Sequence, residues 1–239
     1  MPEIRNQAIV VTGAAGDMGR KLVEMLAGEG ARLAIADRDA ARLAEVEQAA
    51  RQRGVQVVSA VVDVTAEDQV AAFFAKAKAE LGPLGALVNL PGLSVPGQIP
   101  AQPVADFDLM FNVNVKGAFL CNRHFVAQVD ESVGALIINI SSVAAKRANA
   151  NAPLYCSAKA ALSMMADGLA LQVAAKKIRV TTLCPGAADT QFWGTRKVPR
   201  EKFLKVDDVV DVIRFVLTMP ERVVFHDIVF ESFDFWRSK

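Results

Sequence analysis

The feature that most constrains the fold of this chain is a series of seven short apolar runs separated, for the most part, by longer stretches with helical spacing. The runs are rich in β-branched residues and lie at 8–13, 31–37, 55–64, 85–90, 134–141, 178–186 and 227–232. In the first intervening stretch, Met18, Leu22 and Leu26 recur at the spacing of one helix face. Because the runs are continuously apolar rather than alternating, we expect strands buried on both faces. The pattern therefore predicts an α/β fold: a parallel, doubly wound, seven-stranded sheet with helices on both faces.

Composition restricts the class of protein. With 239 residues, 52% hydrophobic and 22% charged, the chain fits one globular domain over 1–239. The formal net charge of +1, with both signs interspersed, gives no reason to expect a nucleic acid or membrane partner. Neither an apolar signal region nor a run of about 18 apolar residues occurs, so we expect a cytoplasmic protein. The three cysteines are expected as reduced core residues, and the two histidines leave no spacing typical of a metal site.

The first run leads directly into a glycine-rich turn, TGAAGDMG, which opens the first helix. Gly13, Gly16 and Gly19 would permit a tight turn and a close approach of the backbone to a phosphate. The helix N-terminus would supply free N–H groups and positive potential. A tight strand-to-helix connection without a ligand is the alternative interpretation. Ligands of parallel sheets bind beyond the carboxyl ends of the strands, so residues that end the other runs bear on this choice.

Two carboxylates at the ends of runs favour the ligand. Asp37 ends the second run, roughly 20 residues beyond the turn, from where a carboxylate can bind the ribose hydroxyls of NAD. Asp63 ends the third run, where it could contact an adenine edge, although either residue alone could equally be a turn or cap residue. Together they predict a dinucleotide site. Asp37 would repel the extra phosphate of NADP, which favours NAD, whereas Arg38 could pair with that phosphate or be a solvated residue at a helix start.

Tyr155, Lys159 and Ser142 form the pattern most indicative of catalysis. Tyr155 and Lys159 lie one helical turn apart at the start of an apolar helix, hence on one face, and Ser142 ends the fifth run. A phenol titrates near pH 10 in water, and a neighbouring ammonium lowers its pKa by favouring the phenolate. Tyr155 could then exchange a proton with a substrate oxygen that Ser142 holds by a hydrogen bond. An isolated Tyr-x-x-x-Lys is more often an ordinary surface pair.

From about residue 7 to 190 the chain resembles the short-chain dehydrogenase/reductase family. The motifs that carry the resemblance occur in order: the glycine turn at 12–19, the acidic end of the second run, DV at 63–64, an Asn–Gly element at 89–92, NVNVKG at 112–117, Ser142, YCSAK from Tyr155, and PGAADT at 185–190. The resemblance implies a single-domain Rossmann fold, with a cofactor half at about 1–140 and a catalytic and substrate half at about 141–239. It implies an NAD(P)-dependent enzyme that interconverts a secondary alcohol and a ketone by hydride transfer.

The resemblance also implies a role for each site residue. Tyr155 would be the general acid/base, and Ser142 would position the substrate oxygen. Lys159 would bind the nicotinamide ribose and lower the Tyr155 pKa, and Asn114 would complete the catalytic tetrad by holding a water of the proton relay. The implied cofactor contacts are Gly13, Gly16, Asp17, Met18, Gly19, Asp37, Asp63, Val64, Asn89, Gly92, Tyr155, Lys159, Pro185, Gly186, Ala188 and Thr190.

Two positions depart from the family pattern. The common branch has a glycine where this chain has Asp17, and the spacing T-G-x-x-G-x-x-G instead resembles the extended branch. We expect the Asp17 side chain to turn away from the cofactor, as a helix cap or in solvent, with a modest loss of cofactor affinity. NLPG at 89–92 replaces the usual N-N-A-G, and Pro91 removes an N–H and stiffens the loop, which weakens the assignment of Asn89 to the cofactor.

The C-terminal part bears on substrate and assembly. Residues 189–205 correspond to a mobile substrate lid in the family, where Phe192 and Trp193 could close over a substrate or merely pin the loop. The basic residues of this segment are expected in solvent, and the identity of the alcohol or ketone stays open. The helices predicted at 103–128 and 153–176 form a four-helix dimer contact in the family, which implies a homodimer or homotetramer. The aromatic tail after the last run is either an edge strand folded on the core or a subunit contact.

Two other functions compete with the dehydrogenase. The departures at Asp17 and at 89–92 would suit a dinucleotide-binding regulator or scaffold without turnover. The intact tetrad favours the enzyme. The glycine spacing also resembles that of sugar-nucleotide epimerases, but too little chain follows the sixth run to build their substrate domain.

Overall fold

A computed structural model describes residues 3–237, and within them the predicted apolar runs form one parallel sheet. The strands are β1 (Ala8–Thr12), β2 (Arg32–Asp37), β3 (Val57–Val61), β4 (Ala86–Asn89), β5 (Ala135–Ile140), β6 (Ile178–Pro185) and β7 (Asp227–Phe230). Their order is β3-β2-β1-β4-β5-β6-β7. The predicted α/β fold with a parallel seven-stranded sheet is confirmed. The order reverses between β1 and β4, which is where open α/β sheets bind their ligands.

Helices cover both faces of the sheet, as predicted. They are α1 (Asp17–Gly28), α2 (Ala40–Gln52), α3 (Glu67–Leu81), α4 (Val104–Phe111), α5 (Gly117–Val126), α6 (Pro153–Val173), α7 (Val206–Leu217) and the short α8 (Phe233–Trp236). Buried side chains of α1, α2 and α7 form one apolar cluster with the sheet. Those of α3, α5 and α6 form a second cluster on the opposite face.

The helix predicted over 103–128 is divided in the structure. A π-helical turn at Asn112–Lys116 joins α4 to α5. Such turns insert one residue into the helical repeat and are frequent at functional sites. The apolar spacing of the sequence did not indicate it, because a π turn changes the hydrogen-bond register and not the residue types.

Two further predictions concern burial. Cys121, Cys156 and Cys184 are all buried as free thiols, as expected of core residues. β7 is the edge strand of the sheet, partly exposed, and the tail turns into α8 directly after it. Within residues 3–237, no helix is long and apolar enough to cross a bilayer.

Candidate active site

A cavity of about 1330 Å³ opens at the carboxyl edge of the sheet. It runs from the glycine turn to the start of α6, and its far wall is the segment that follows β6. Of the residues expected at the site, it is lined by Gly13, Gly16, Asp17, Met18, Gly19, Gly92, Ser142, Tyr155, Lys159, Pro185, Gly186, Ala188, Thr190, Phe192 and Trp193. The structure therefore brings the glycine turn, three tetrad residues and the segment after β6 around one space.

Two of the three glycines are required by the backbone of the turn. Gly13 has φ +73°, in the region that favours glycine. A Cβ on Gly19 would lie 2.2 Å from the carbonyl oxygen of Gly13, so no side chain fits there. Gly16 is different, since its φ is −69° and a Cβ would meet only the Gly13 oxygen, at 3.5 Å. Of the three glycines of the turn, Gly16 is therefore the one whose local backbone geometry would also accept a residue with a side chain.

Asp17 does not cap α1, so that part of the expectation was wrong. Gly16 is the N-cap residue, and no side chain caps the helix. The Asp17 carboxylate instead accepts a hydrogen bond from the backbone N–H of Gln191, at 2.6 Å. It is partly exposed, and its other carboxylate oxygen lies 3.7 Å from a guanidinium nitrogen of Arg42. This residue therefore joins the glycine turn to the segment after β6.

The two predicted strand-end carboxylates are engaged with nearby N–H groups. Asp37 accepts hydrogen bonds from the backbone of Ala15 and of Asp39, both at 3.0 Å, and so fixes the glycine turn against β2. Asp63 accepts from the backbone N–H and the hydroxyl of Thr65, and these bonds lower the pKa of its carboxyl group. Three of the expected cofactor contacts do not line the cavity, namely Asp37, Asp63 and Val64. Arg38, by contrast, does line it.

Asn89 is buried beneath the cavity instead of lining it. Its side-chain oxygen accepts from the Thr12 hydroxyl, and its amide donates to the side-chain oxygens of Asn122 and Asn139, at 3.0 and 3.1 Å. The side chain is thus used in holding β1, β4, β5 and α5 together. Three residues on, Gly92 does reach the site, since a Cβ there would lie 3.0 Å from Asn114 Oδ1 and 3.1 Å from Lys159 Nζ.

The N-terminal turns of α6 present Tyr155 and Lys159 to the end of β5. Ser142 lies close enough to the Tyr155 phenol to lower the pKa of that group by hydrogen bonding. The Lys159 ammonium lies 5.9 Å from the centroid of the Tyr155 ring and donates to the carbonyl oxygen of Ile140 at 2.9 Å. Ser142 also accepts a hydrogen bond from the N–H of Ala144, at 3.1 Å. Serine, tyrosine and lysine are therefore assembled as the sequence predicts.

The electrostatics of this cluster are set by burial. Lys159 is 3% exposed, and burial lowers its pKa to about 8. The protein around the Tyr155 phenol raises the pKa of that group to about 12, a shift that the hydrogen bond to Ser142 and the charge of Arg196 partly oppose. The expected lowering of the Tyr155 pKa below that of a free phenol is thus reversed, because the loss of hydration outweighs the neighbouring charges.

Asn114 lies within the π turn, fully buried behind the cavity wall. Its side-chain nitrogen donates to the carbonyl oxygens of Leu93 and Met110, at 2.9 and 2.8 Å, and its oxygen accepts from the N–H of Leu93 at 3.3 Å. Asn114 therefore fixes the loop after β4 against α4. Asn114 Oδ1 and Lys159 Nζ both lie close to the position that a Cβ on Gly92 would take, so only a glycine leaves room for both groups there.

The predicted lid, residues 189–205, is folded over the cavity. Its ends are joined by a bridge between Ala188 and Leu204. The Phe192 ring lies 5.7 Å from the Tyr155 ring, centroid to centroid. Trp193 donates its indole N–H to the carbonyl oxygen of Ala188 at 2.8 Å and packs against Phe203. Phe192 thus reaches Tyr155, whereas Trp193 holds the loop.

Several residues that line the cavity were not predicted there. Arg42 carries no local signal in the sequence and reaches the site because α2 packs beside α1. Arg196 was expected in solvent, but its guanidinium lies over the rings of Phe192 and Trp193, at 5.2 and 5.0 Å. Arg147 is held by an ion pair with Glu231. Two of these cations are paired with carboxylates that also line the cavity, Arg42 with Asp17 and Arg147 with Glu231.

Comparison with known proteins agrees with this architecture. Residues 7–200 match the family model of the short chain dehydrogenases. An uncharacterized oxidoreductase of Staphylococcus saprophyticus is 31% identical over 230 residues, which cover 95% of this chain and 98% of that protein. One from Bacillus subtilis is 32% identical over 191 residues, which cover 80% of this chain and 70% of that protein.

Solved structures share the fold. An alcohol dehydrogenase from the archaeon Thermococcus sibiricus, complexed with 5-hydroxy-NADP, has a TM-score of 0.88 at 26% identity, and the match covers 95% of this chain and 97% of that one. The NAD+-bound structure of a xylitol dehydrogenase has a TM-score of 0.87 at 23% identity, over 97% of this chain and 100% of that one. With the motifs, the cavity and these relatives in agreement, the chain belongs to the short-chain dehydrogenase/reductase family of oxidoreductases.

Proposed function

We propose that this chain is an NAD(P)-dependent oxidoreductase that interconverts a secondary alcohol and a ketone, with Tyr155 as the general acid/base. The observation that carries the proposal is the placement of Ser142, Tyr155 and Lys159 on one wall of a cavity that begins at the glycine turn. A regulator or scaffold without turnover has no physical requirement for a buried lysine beside a tyrosine and a serine on one cavity wall. The chain's own geometry therefore favours the enzyme.

The glycine turn fits the pyrophosphate of a dinucleotide. Gly16 lines the cavity at the start of α1, and its missing side chain leaves the backbone N–H groups of the helix end open to a phosphate. The cavity, at about 1330 Å³, is larger than the roughly 300–1,000 Å³ of most small-molecule pockets. A cavity of this volume has room for a dinucleotide and a substrate together.

The residues around the substrate position divide the chemistry between them. A bound nicotinamide dinucleotide would supply or accept the hydride at the carbon that carries the substrate oxygen. Ser142 is placed to hold that oxygen by a hydrogen bond, and Tyr155 gives it a proton in reduction or takes one in oxidation. Lys159, fixed by the carbonyl oxygen of Ile140, supplies a positive charge beneath the phenol when it is protonated.

The titration of Tyr155 favours one direction at neutral pH. With a pKa of about 12, the phenol holds its proton near pH 7 and is ready to donate it to a ketone oxygen. Oxidation of an alcohol needs the phenolate, whose population rises with pH. We therefore expect ketone reduction to be the faster direction near neutrality and the oxidative rate to increase toward alkaline pH.

For the cofactor we favour NAD, with NADP as the alternative. Asp37 ends β2, and its negative charge disfavours an additional phosphate on the adenosine ribose. Arg38 and Arg42 both line the cavity and could offset that repulsion. The relative strength of these opposing charges decides whether NAD or NADP is preferred. A comparison of the dissociation constants of NADH and NADPH measures this preference directly.

The test combines binding and turnover. NADH and NADPH are titrated by fluorescence, and a panel of ketones and secondary alcohols is then assayed with the cofactor that binds. We expect turnover on part of the panel and a loss on the order of 10²–10⁴-fold in Tyr155→Phe, with cofactor binding retained. Binding without turnover on a wide panel, and no effect of Tyr155→Phe on any readout, would favour the regulator or scaffold.

A further inference from the structure

The residue that departs most clearly from the family's glycine turn makes a contact far along the chain. Asp17 is the first residue of α1, and its carboxylate oxygen Oδ2 accepts the backbone N–H of Gln191 at 2.6 Å. Gln191 opens the 3₁₀ turn Gln191–Trp193 within the lid. A glycine at position 17 could not make this contact, because it has no acceptor to offer.

A second element holds the same lid residue. The Arg42 guanidinium in α2 donates to the side-chain oxygen of Gln191 at 3.1 Å and lies 3.7 Å from the Asp17 carboxylate. Gln191 is therefore bound through its backbone by α1 and through its side chain by α2. The side chains of Asp17 and Arg42 are 24% and 32% exposed, so the ion pair is partly shielded from solvent.

The position of Gln191 determines where the lid meets the catalytic tyrosine. Phe192 follows it directly in the same turn and packs against the Tyr155 ring. Arg196 then lies over the Phe192 ring and donates to the carbonyl oxygens of Phe192 and Trp193, which stiffens the turn from its other end. A displacement of Gln191 would therefore move the aromatic wall of the substrate space.

We propose that Asp17, Arg42 and Gln191 form a tether that positions Phe192 against Tyr155, so that a position equivalent to a phosphate-binding glycine has become an anchor for the substrate lid. Asp17 and Arg42 are positioning residues in this scheme, since they act through Gln191. The effect on turnover rests on the proposed oxidoreductase function, but the effect on the lid does not.

The tether has a consequence for nucleotide binding. The Asp17 carboxylate lies at the N-terminus of α1, where the helix dipole and free N–H groups attract a pyrophosphate. A dinucleotide would therefore meet a competing negative charge, while the lid would already be ordered. Removal of the carboxylate should loosen the lid and tighten nucleotide binding, which are opposite effects on two separately measurable quantities.

The variants separate the two contacts of Gln191. Gln191→Pro removes both the N–H donor and the side-chain bond to Arg42, and proline suits this position because Thr190 before it is extended (φ −140°, ψ 168°) and the residue begins a 3₁₀ turn; its difference from Gln191→Ala therefore isolates the N–H contact. Gln191→Ala keeps the N–H and removes the bond to Arg42. Asp17→Gly removes the acceptor, whereas Asp17→Asn keeps an oxygen acceptor and loses the charge.

The lid is read out by Trp193. The chain has two tryptophans, so a Trp236→Phe background leaves Trp193 as the single reporter. Acrylamide quenching is measured on the full-length chain without substrate, followed by kcat and KM for a ketone at saturating cofactor. Glu45→Gln serves as the charge control, because Glu45 pairs with Arg20 on the same surface and not with the lid.

We expect Asp17→Gly and Gln191→Pro to raise the Trp193 quenching constant about twofold and to lower kcat/KM for the ketone by on the order of tenfold, since small displacements in an active site are costly. Asp17→Asn and Gln191→Ala should fall between these variants and the parent, and Glu45→Gln should match the parent. Circular dichroism checks that each variant is folded. If either Asp17→Gly or Gln191→Pro fails to fold, the other variant alone tests the tether.

Two results would overturn the tether. Parental quenching in both Asp17→Gly and Gln191→Pro would show that the contact does not hold the lid. Equal tightening of NADH binding in Asp17→Gly and Asp17→Asn, with unchanged kcat/KM for the ketone, would show that Asp17 acts only through its charge on the nucleotide. If the parent turns over no substrate, the proposed function fails, but the quenching series still decides the tether.

Discussion

The Thr12 hydroxyl donates a hydrogen bond of 2.6 Å to the side-chain oxygen of Asn89, across the central pair of strands β1 and β4. The same asparagine donates to Asn122 and Asn139, so one buried amide connects three strands and a helix beneath the cavity floor. In the register of the sheet, Asn89 is the partner of Thr12 on one side and of Asn139 on the other. The network is therefore a consequence of strand register.

From this network we predict that Asn89 acts mainly on stability. Asn89→Ala leaves the Thr12 hydroxyl and two buried amide oxygens without their partner, so the free energy of unfolding should fall by about 3 kcal/mol. Thr12→Val removes a single hydrogen bond and should cost about 1 kcal/mol. Urea unfolding measures both values, and a fluorescence titration with NADH accompanies it. A large loss of NADH affinity in Asn89→Ala without a loss of stability would instead make Asn89 a direct cofactor ligand, as the family resemblance implied.

The glycine turn offers a matched pair of substitutions. Gly19→Ala places a Cβ 2.2 Å from the backbone oxygen of Gly13, so it should disrupt the turn and lower the melting temperature substantially. Gly16→Ala meets only one atom, at 3.5 Å, and should melt within a few degrees of the parent. Because Gly16 lines the cavity, its alanine variant should nevertheless bind the dinucleotide at least about tenfold more weakly. Unchanged NADH affinity in a folded Gly16→Ala protein would contradict a pyrophosphate at this turn.

Local patterns in the sequence were sufficient to predict the sheet. Each run of apolar residues became a strand within three residues of its expected bounds. The five inner strands are buried on both faces and have little choice of composition, whereas the edge strands β3 and β7 are partly exposed. Tyr155 and Lys159 met on one face because helical spacing alone brings them together. These predictions succeeded because they depend on neighbours in sequence.

The features that the sequence did not indicate depend on packing between distant residues. The contact of Asp17 with Gln191 joins the first helix to the lid, and no periodicity or motif encodes it. The raised pKa of Tyr155 follows from the protein packed around the phenol, which residue spacing does not reveal. The role of Asn89 required the register of neighbouring strands, and the π turn at Asn114 required the hydrogen-bond pattern of a helix whose residue types are ordinary.

Exposed apolar side chains on two helices predict an assembly of more than one chain. Phe119 on α5 is 45% exposed, and on α6 Met164 and Leu171 are 71% and 85% exposed. Such residues on neighbouring helices are typical of a subunit contact. We expect sedimentation velocity to show a dimer or tetramer, and the double variant Met164→Glu/Leu171→Glu to shift it to a smaller species with an unchanged circular dichroism spectrum. A monomeric parent at micromolar concentration would contradict this prediction.

Lys159 and Tyr155 should give the stability of the protein opposite dependences on pH. Burial lowers the pKa of Lys159 from 10.5 to about 8, so between these values the unfolded chain binds more protons and the free energy of unfolding rises with pH, by on the order of 3 kcal/mol. The pKa of Tyr155 is raised from 10.0 to about 12, so the folded protein keeps that proton longer and stability falls across this second window. Urea unfolding from pH 7 to 12 tests both. Lys159→Met should lose the rise and Tyr155→Phe the fall, and a Lys159→Met curve parallel to the parent's between pH 8 and 10.5 would show that Lys159 is not desolvated.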